Sequence, residues 1–442
     1  MKRLFTALCI CVAVICSALP AAAKKNDVID PVTGQRVKTG WNFGPLPAVG
    51  YNTDLGFQAG ALCDIYYYGD GSQYPDYVHK FSAEASYYTK GSGVFHLFYD
   101  SKHLIPKVRM TAAATYMLNR KYSFFGFNGA ASPYYKDMDA NRDTRTAFYN
   151  IERNYLRVLT DFQGKIKGPF GWAAGVAFKW FDIDDINLKN YDSHNTLYRN
   201  YIEQGIIDPD EINGGMHFEF KAGVVYDTRD HEAAPSRGIW TEVCFIGSPD
   251  LFHGRSNYLK FAAHFRQYLP VWDNRIVFAY HLAYQGTVAG NAPFYVQQDI
   301  ATLYLRQVNS EGLGSINTVR GTLYNRMIGD GYAWANIEMR FRLVSFKFIR
   351  QNWYVATNPF FDMGAVVQPF RLERMKAAAG AVVDGRNRDL LYAGNGEKLH
   401  MSAGLGVKLV MNNNFIISVE GAVPLSKQDG PFGMNIGLNY IF

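Results

Sequence analysis

The sequence predicts an all-β fold: a single transmembrane antiparallel β-barrel of about sixteen strands with long outer loops. Three observations predict it. Of the 442 residues, 15% are aromatic and only 19% are charged, with 41 glycines and five cysteines. This composition suits a large β-protein better than a disordered or disulfide-rich chain. Apolar and polar residues alternate with a period of two over many segments, and the sequence starts with an export signal.

Residues 1–23 are interpreted as a secretory signal peptide, because a positive start precedes an apolar run over Leu4–Leu19 and a small-residue cleavage site at Ala21–Ala23. Residues 24–40 are then a short periplasmic segment, and residues 41–442 form the barrel. No later run of about 18 apolar residues offers a spanning helix. An exported chain that enters a membrane without one does so as a closed barrel.

The last eleven residues show the alternation most clearly. The apolar face of this segment consists of Phe432, Met434, Ile436, Leu438, Tyr440 and Phe442. Glycine and asparagine dominate the opposite face, which includes Gly433 and Gly437. About 9–11 residues cross a bilayer as a tilted strand. We therefore predict a strand over 432–442, and its aromatic end resembles the recognition signal of bacterial outer-membrane barrels.

Counting back from this segment gives sixteen strands. They are predicted at 41–50, 55–68, 77–89, 92–100, 108–119, 153–163, 170–181, 216–227, 238–247, 256–268, 275–286, 332–343, 353–367, 399–410, 414–424 and 432–442. An even number places both chain ends on the periplasmic side, together with the short turns. The long connections then lie outside, at about 120–152, 182–215, 287–331 and 371–398.

Two cysteines remain after removal of the signal peptide, Cys63 and Cys244. They are either a disulfide, if the geometry allows it, or two separate small residues of the wall. The formal net charge of +6 is mild for this length and accompanies no nucleic-acid motif. No nucleic-acid partner is therefore expected.

No metal, cofactor or catalytic site is expected either. One acidic run has the alternate spacing of a calcium loop: Asp137, Asp139, Asn141 and Asp143. Its sixth and twelfth positions hold Arg142 and Phe148, where a calcium loop needs glycine and glutamate. His264 and His281 lie on predicted strands and are interpreted as structural.

Four segments resemble the bacterial surface-antigen family, the superfamily of BamA and TamA outer-membrane barrels. Phe43–Phe57 resembles the family's first hairpin, and Tyr226–Asp230 with Pro235–Gly238 is similar to its mid-barrel turn. Val319–Gly321 stands at the place of the V-R-G-F/Y motif of the sixth outer loop, about forty residues before Phe360–Gly364, which matches F-x-D-x-G. The resemblance covers the whole mature chain and implies a bacterial outer-membrane location.

In this family the sixth loop folds back into the barrel lumen, where its arginine reaches an aspartate of the inner wall. The resemblance therefore implies a charge-assisted pair between Arg320 and Asp362, which we call the loop-6 latch. Val319 belongs to the same motif, and Gly321 would permit a close backbone approach. By alternation, Glu338 and Arg340 face the lumen and would extend this network.

Two departures from the family pattern bear on function. Thr322 stands where the motif has an aromatic residue. Residues 24–40 leave no room for the periplasmic POTRA domains of the family, so a barrel-only member is expected. Client handling by such domains therefore does not carry over directly.

Two functions stay open. The resemblance implies insertion or translocation of other proteins, through a weak seam between the first and last strands. Pro45 and Pro47, which lack backbone donors, would weaken that seam on one side, and Gly433 and Gly437 on the other. The alternative is a barrel without assembly activity, a narrow channel or a structural docking subunit. Expected partners are outer-membrane lipid and either client proteins or a separate periplasmic or surface subunit; no enzyme is expected.

Overall fold

In the computed structural model the chain forms a closed barrel of sixteen strands in which sequence neighbours pair antiparallel and β1 also pairs with β16. The predicted fold class is confirmed. The structure describes residues 37–74, 77–139, 147–187, 195–251, 257–272, 275–302, 312–348, 351–411, 415–438 and 440–442. The predicted signal peptide and most of the predicted periplasmic segment lie outside these residues.

The strands lie close to their predicted positions. They are β1 (Trp41–Asn52), β2 (Gly56–Tyr67), β3 (His79–Tyr88), β4 (Ser92–Ile105), β5 (Val108–Ser123), β6 (Asn150–Lys167), β7 (Phe170–Asp185), β8 (Gly214–Asp227), β9 (Gly238–Ser248), β10 (Tyr258–Trp272), β11 (Ile276–Gly290), β12 (Gly331–Phe348), β13 (Gln351–Gln368), β14 (His400–Met411), β15 (Phe415–Pro424) and β16 (Gly433–Leu438).

The period-two pattern accounts for the two faces of the wall. Val158, Val176 and Phe220 are exposed on the outside of neighbouring strands. The residues that alternate with these along each strand point into the barrel, where Arg157 and Lys179 are buried. An apolar exterior around a polar interior is the arrangement of a membrane barrel.

The connections differ at the two ends of the barrel. We call the end with short turns the turn end and the opposite one the loop end. Long connections gather at the loop end. The described residues of the connection between β11 and β12, 291–302 and 312–330, are called loop 6. The short helices there are α1 (Leu197–Glu203), α2 (Leu372–Gly380) and α3 (Gly385–Leu391). No helix among the described residues is long and apolar enough to cross a membrane.

Aromatic side chains from the long connections pack into one buried cluster at the loop end. Phe124 and Phe127 meet Tyr201 from α1, and Phe127 also meets Phe370 beside α2 with its ring nearly perpendicular at 4.9 Å. Phe294 from loop 6 joins the same cluster. The packed rings form a cap over this end of the barrel.

The prediction of a continuous strand over 432–442 is wrong beyond Leu438. β16 spans Gly433–Leu438, and Tyr440 and Phe442 lie outside any strand. Phe432 precedes β16 and is exposed, whereas Met434 and Ile436 lie on it. The six residues predicted to form one apolar face of a single strand therefore do not all lie on that strand.

Contacts inside the lumen explain the early end of β16. Phe442 is buried against Tyr268 and Val277, two residues on the inner face of the wall. Arg340 donates from Nη2 to the carbonyl oxygen of Phe442 at 2.7 Å, and its guanidinium lies 4.1 Å from the ring of Tyr440. A buried guanidinium thus holds residues that the alternation alone would assign to lipid.

Cys63 and Cys244 are both buried. They lie on β2 and β9, well apart around the barrel. The structure therefore supports the interpretation in which the two cysteines are separate residues of the barrel wall.

Candidate functional site

Arg320 lies inside the barrel and binds Asp362 with both ends of its guanidinium. Its Nε donates to Asp362 Oδ2 at 2.7 Å, and its Nη2 donates to Oδ1 at 2.8 Å. The backbone N–H of Arg320 also donates to Oδ2, at 3.0 Å. Arg320 is only 3% exposed and Asp362 is fully buried. The structure thus brings together the two residues that the family resemblance singled out.

Two more carboxylates accept from the same guanidinium. Arg320 Nη1 donates to Glu338 at 2.6 Å and to Glu420 at 3.1 Å. Phe360 lies flat beneath it, with its ring centre 3.4 Å from the guanidinium carbon. Sequence reasoning missed Glu420 and the role of Phe360. The signals were present: Glu420 alternates toward the lumen on β15, and Phe360 is the first residue of the F-x-D-x-G motif.

Arg340 and Lys408 balance the charge of these carboxylates. Arg340 Nε donates to Glu338 Oε2 at 2.9 Å, and Lys408 Nζ donates to Glu420 Oε1 at 2.7 Å. Three cations, Arg320, Arg340 and Lys408, therefore face Asp362, Glu338 and Glu420. Buried charges are tolerated when they are paired and hydrogen-bonded in this way.

The residues beside Arg320 fix its backbone. Val319 is fully buried against Leu313 and Trp334. Gly321 has φ +85°, and a Cβ there would lie 2.6 Å from the Cβ of Ala422 on β15. Only glycine satisfies both the left-handed backbone and this close approach.

Thr322 replaces the family's aromatic residue with hydrogen bonds. Its hydroxyl donates to the carbonyl of Val319 at 2.7 Å and accepts from the backbone N–H of Ser315 at 3.1 Å. The turn that presents Arg320 is therefore closed by its own polar groups. The departure from the motif changes what holds the turn and leaves the Arg320–Asp362 contact in place.

Arg326, also missed by sequence reasoning, ties loop 6 to the other connections. Its Nε donates to the carbonyl of Gln428 at 2.7 Å, and its Nη2 donates to that of Ser132 at 3.0 Å. These acceptors belong to connections far apart in sequence. Such a pattern of backbone acceptors leaves no signature in the sequence.

The seam between β1 and β16 is short. Within the described residues the two strands pair at Tyr51 with Ile436 and at Asn52 with Asn435. In the turn after β1, Thr53 adds three bonds to Met434: its backbone N–H and its hydroxyl donate to the Met434 carbonyl at 3.1 and 3.2 Å, and the hydroxyl accepts from the Met434 N–H at 2.7 Å. By contrast, β1 pairs with β2 along its whole length. The edge of β1 toward the turn end therefore has no strand partner on the β16 side.

The predicted seam residues lie on both sides of this gap. Pro45 and Pro47 are exposed on the stretch of β1 that β16 does not reach. Gly437 pairs with Ser418 of β15, not with β1. Gly433 faces the latch: a Cβ on it would lie 2.6 Å from the Cα of Gly321. Loop 6 thus touches β16 next to the place where the seam closes.

Asp54 lies in the turn between β1 and β2, beside the closed part of the seam. Burial raises the pKa of its carboxyl to about 6, although the Lys90 ammonium and the backbone N–H of Tyr324 oppose this shift.

The Omp85 superfamily domain matches residues 79–440 of the chain. Among solved structures, the chain is similar to BamA from Haemophilus ducreyi lacking POTRA domains 1–3, with 13% identity, coverage of 97% of this chain and 78% of that chain, and a TM-score of 0.56. It is also similar to CdiB from Escherichia coli, with 9% identity, coverage of 91% and 63%, and a TM-score of 0.53. At these identities the likeness concerns the fold. No curated protein sequence matches the chain.

Proposed function

This chain belongs to the Omp85 superfamily and is an outer-membrane β-barrel, and we propose that it inserts or translocates other proteins at the seam between β1 and β16. The observation that carries the proposal is the unpaired edge of β1 between Trp41 and Gly50. We also propose that residues 1–23 are removed on export, that residues 24–40 lie in the periplasm and that the turn end faces it.

The physical argument concerns backbone groups at membrane depth. Every N–H and C=O in the hydrocarbon region needs a partner, and the unpaired edge of β1 offers carbonyl oxygens and, away from Pro45 and Pro47, N–H groups. An incoming strand can satisfy that row by adding to the sheet. Two register pairs hold the seam closed, so little pairing must break before a client strand enters.

Contacts that the loop-6 latch makes inside the barrel support the same proposal. Gly321 packs against Gly433 at the start of β16, and Arg320 binds Glu420 of the neighbouring β15. The position of the last two strands therefore depends on loop 6. In this mechanism loop 6 sets how far the seam closes, and no covalent chemistry or enzyme activity is involved.

The channel alternative is weaker because the buried aromatic cluster packs over the loop end of the barrel. A docking subunit without assembly activity becomes one outcome of the test. Clients are unfolded membrane proteins in the proposal, and a separate subunit that delivers them is compatible with it.

The test is reconstitution of the mature chain into liposomes, followed by the folding rate of an unfolded outer-membrane barrel. We expect the wild type to accelerate folding and Arg320→Ala to reduce that acceleration. Arg374→Ala is the matched control, since Arg374 is half-exposed on α2 and pairs only with Asp208 in the described residues. No acceleration by correctly folded wild type would refute the proposal and leave the docking subunit or channel.

A further inference from the structure

Two histidines stack against each other on the inner wall behind loop 6. His264 on β10 and His281 on β11 are both buried, 2% and 5% exposed. Their rings are nearly parallel, at 10°, and His264 Nδ1 lies 3.0 Å from His281 Nε2. Trp334 meets both rings edge-on. The latch network does not include this pair.

The outer nitrogen of each ring leads to loop 6. His264 Nε2 lies 2.7 Å from the carbonyl oxygen of Ala301. His281 Nδ1 lies 3.0 Å from Oδ1 of Asn336, whose Nδ2 donates to the carbonyl of Thr318 at 2.5 Å. Ala301 and Thr318 both belong to loop 6, and Thr318 precedes Arg320 by two residues. The pair therefore joins two distant points of the docked loop through one chain of hydrogen bonds.

The acceptors in this chain fix how many protons it holds. The Ala301 carbonyl only accepts, so His264 Nε2 must carry a proton. The Thr318 carbonyl orients Asn336 so that its oxygen faces His281, whose Nδ1 must then carry a proton as well. The hydrogen bond between His264 Nδ1 and His281 Nε2 needs one proton, and a proton on each of these two nitrogens would bring the two N–H groups into conflict. The docked arrangement thus holds three protons on the pair, one fewer than two charged imidazoles and one more than two neutral ones.

The charged groups around the pair already have partners. Arg266 on β10 binds Glu242 of β9 at 2.9 Å. On β12 the nearest charged residues are Glu338 and Arg340, which bind each other, and Asp362 on β13 pairs in register with Asn336 and binds Arg320. Ala301 and Thr318, the two residues of loop 6 that this chain of hydrogen bonds reaches, are neutral. A second positive charge on the histidines would therefore meet no spare carboxylate.

We propose that His264 and His281 are positioning residues for loop 6 and that acidification releases the loop by charging both rings. Undocking exposes the pair to water, where each histidine takes up its second proton below its ordinary pKa of about 6.5. Below that pKa each undocking event then takes up one proton. The inference concerns the docking of loop 6 and does not depend on whether the barrel handles client proteins.

The size of the effect follows from proton linkage. Below about pH 6 the released pair holds up to four protons, one more than the docked pair, so the ratio of docked to released loop falls toward tenfold for each further unit of pH. Above about pH 7 the released histidines are neutral and hold two protons, one fewer than the docked pair, so the ratio falls again as the pH rises. The expected profile therefore has its maximum near pH 6.5.

Hydrogen exchange measured by mass spectrometry on the reconstituted barrel tests this. We would follow peptides covering residues 312–328 from pH 7.5 to 5.5, after correction for the intrinsic exchange rate. Wild-type protection should be highest near pH 6.5 and about threefold lower at each end of this range. The double variant His264→Gln/His281→Gln keeps polar side chains that do not titrate, and its profile should be flat.

His217→Gln is the matched control. His217 is another buried lumenal histidine that contacts loop 6, through the hydroxyl of Tyr295 at 3.2 Å. This variant should keep the wild-type profile. A flat wild-type profile would overturn the proposal without any variant, and so would a wild-type maximum retained by the double variant. Latch carboxylates would titrate equally in all three proteins, so they cannot produce the expected difference.

Discussion

Arg320 donates hydrogen bonds to three carboxylates, so its removal leaves Asp362, Glu338 and Glu420 with fewer cations than charges to match. We expect Arg320→Ala to lower the free energy of unfolding by about 3–5 kcal/mol, the usual effect of breaking a buried ion pair. Urea unfolding in lipid vesicles measures it. Arg320→Lys keeps the charge but loses the two-pronged contact with Asp362, so its loss should be smaller. Equal losses for both variants would contradict this account.

Asp54 gives the second residue-scale prediction. Its pKa is raised to about 6 in the fold, so the folded state holds the proton more tightly than the unfolded chain does. The stabilisation from that proton is present below pH of about 4 and is lost as the pH rises through about 6. Asp54→Asn should therefore be more stable than the wild type at pH 7.5 and equal to it at pH 4.

Unfolding midpoints at the two pH values check this, with Asp70→Asn as the control. Asp70 is an exposed turn residue at the other end of β2, and the Ser72 hydroxyl and N–H lower the pKa of its carboxyl. The control should show no gain at pH 7.5. A gain for Asp54→Asn that is the same at both pH values would mean that ionisation is not its cause.

Residues of the latch were predictable only in part. Arg320 and Asp362 belong to motifs whose spacing carries the family resemblance, so they could be paired from the sequence. Glu420 required the register of β15 against β14, and Arg326 required the paths of two other connections. The connection of His264 and His281 to loop 6 could not be predicted, because no sequence pattern shows that His264 bonds Ala301 or that Asn336 links His281 to the loop.

The strands were predictable because the alternation of each is set by its own residues. Their number and order follow from that local pattern and from the short turns between them. The end of β16 could not be found this way. Its alternation continues to Phe442, but Arg340 on a strand far away in sequence binds the Phe442 carbonyl, and that tertiary contact overrides the local pattern.

At the scale of the elements, the contact between loop 6 and β16 can be tested at Gly433. A Cβ there would lie 2.6 Å from the Gly321 backbone, so one of the two segments must move. We expect Gly433→Ala to cost about 1–3 kcal/mol, as overpacking does, and to reduce pairing at the seam. Gly44→Ala on β1 is the control, because its nearest neighbour would lie at 3.6 Å. Equal stability of the two variants would contradict the contact.

The whole molecule is a barrel capped at the loop end by packed aromatic residues and latched inside by loop 6. We therefore expect no persistent ion conductance from the wild-type protein in a planar bilayer. Arg326→Ala, which loosens loop 6 from the neighbouring connections, should increase transient openings. A steady ohmic conductance of the wild type would favour the channel function instead.

The most direct test of the central claim is to lock the seam. Tyr51 and Ile436 are register partners across it, so Tyr51→Cys/Ile436→Cys can form a disulfide of ordinary geometry. The control, Val224→Cys/Val243→Cys, joins register partners on β8 and β9. We predict that oxidation of the seam variant abolishes its acceleration of client folding in liposomes, that reduction restores it, and that the control is unaffected. An oxidised seam variant that still accelerates folding as fast as its reduced form would contradict the account.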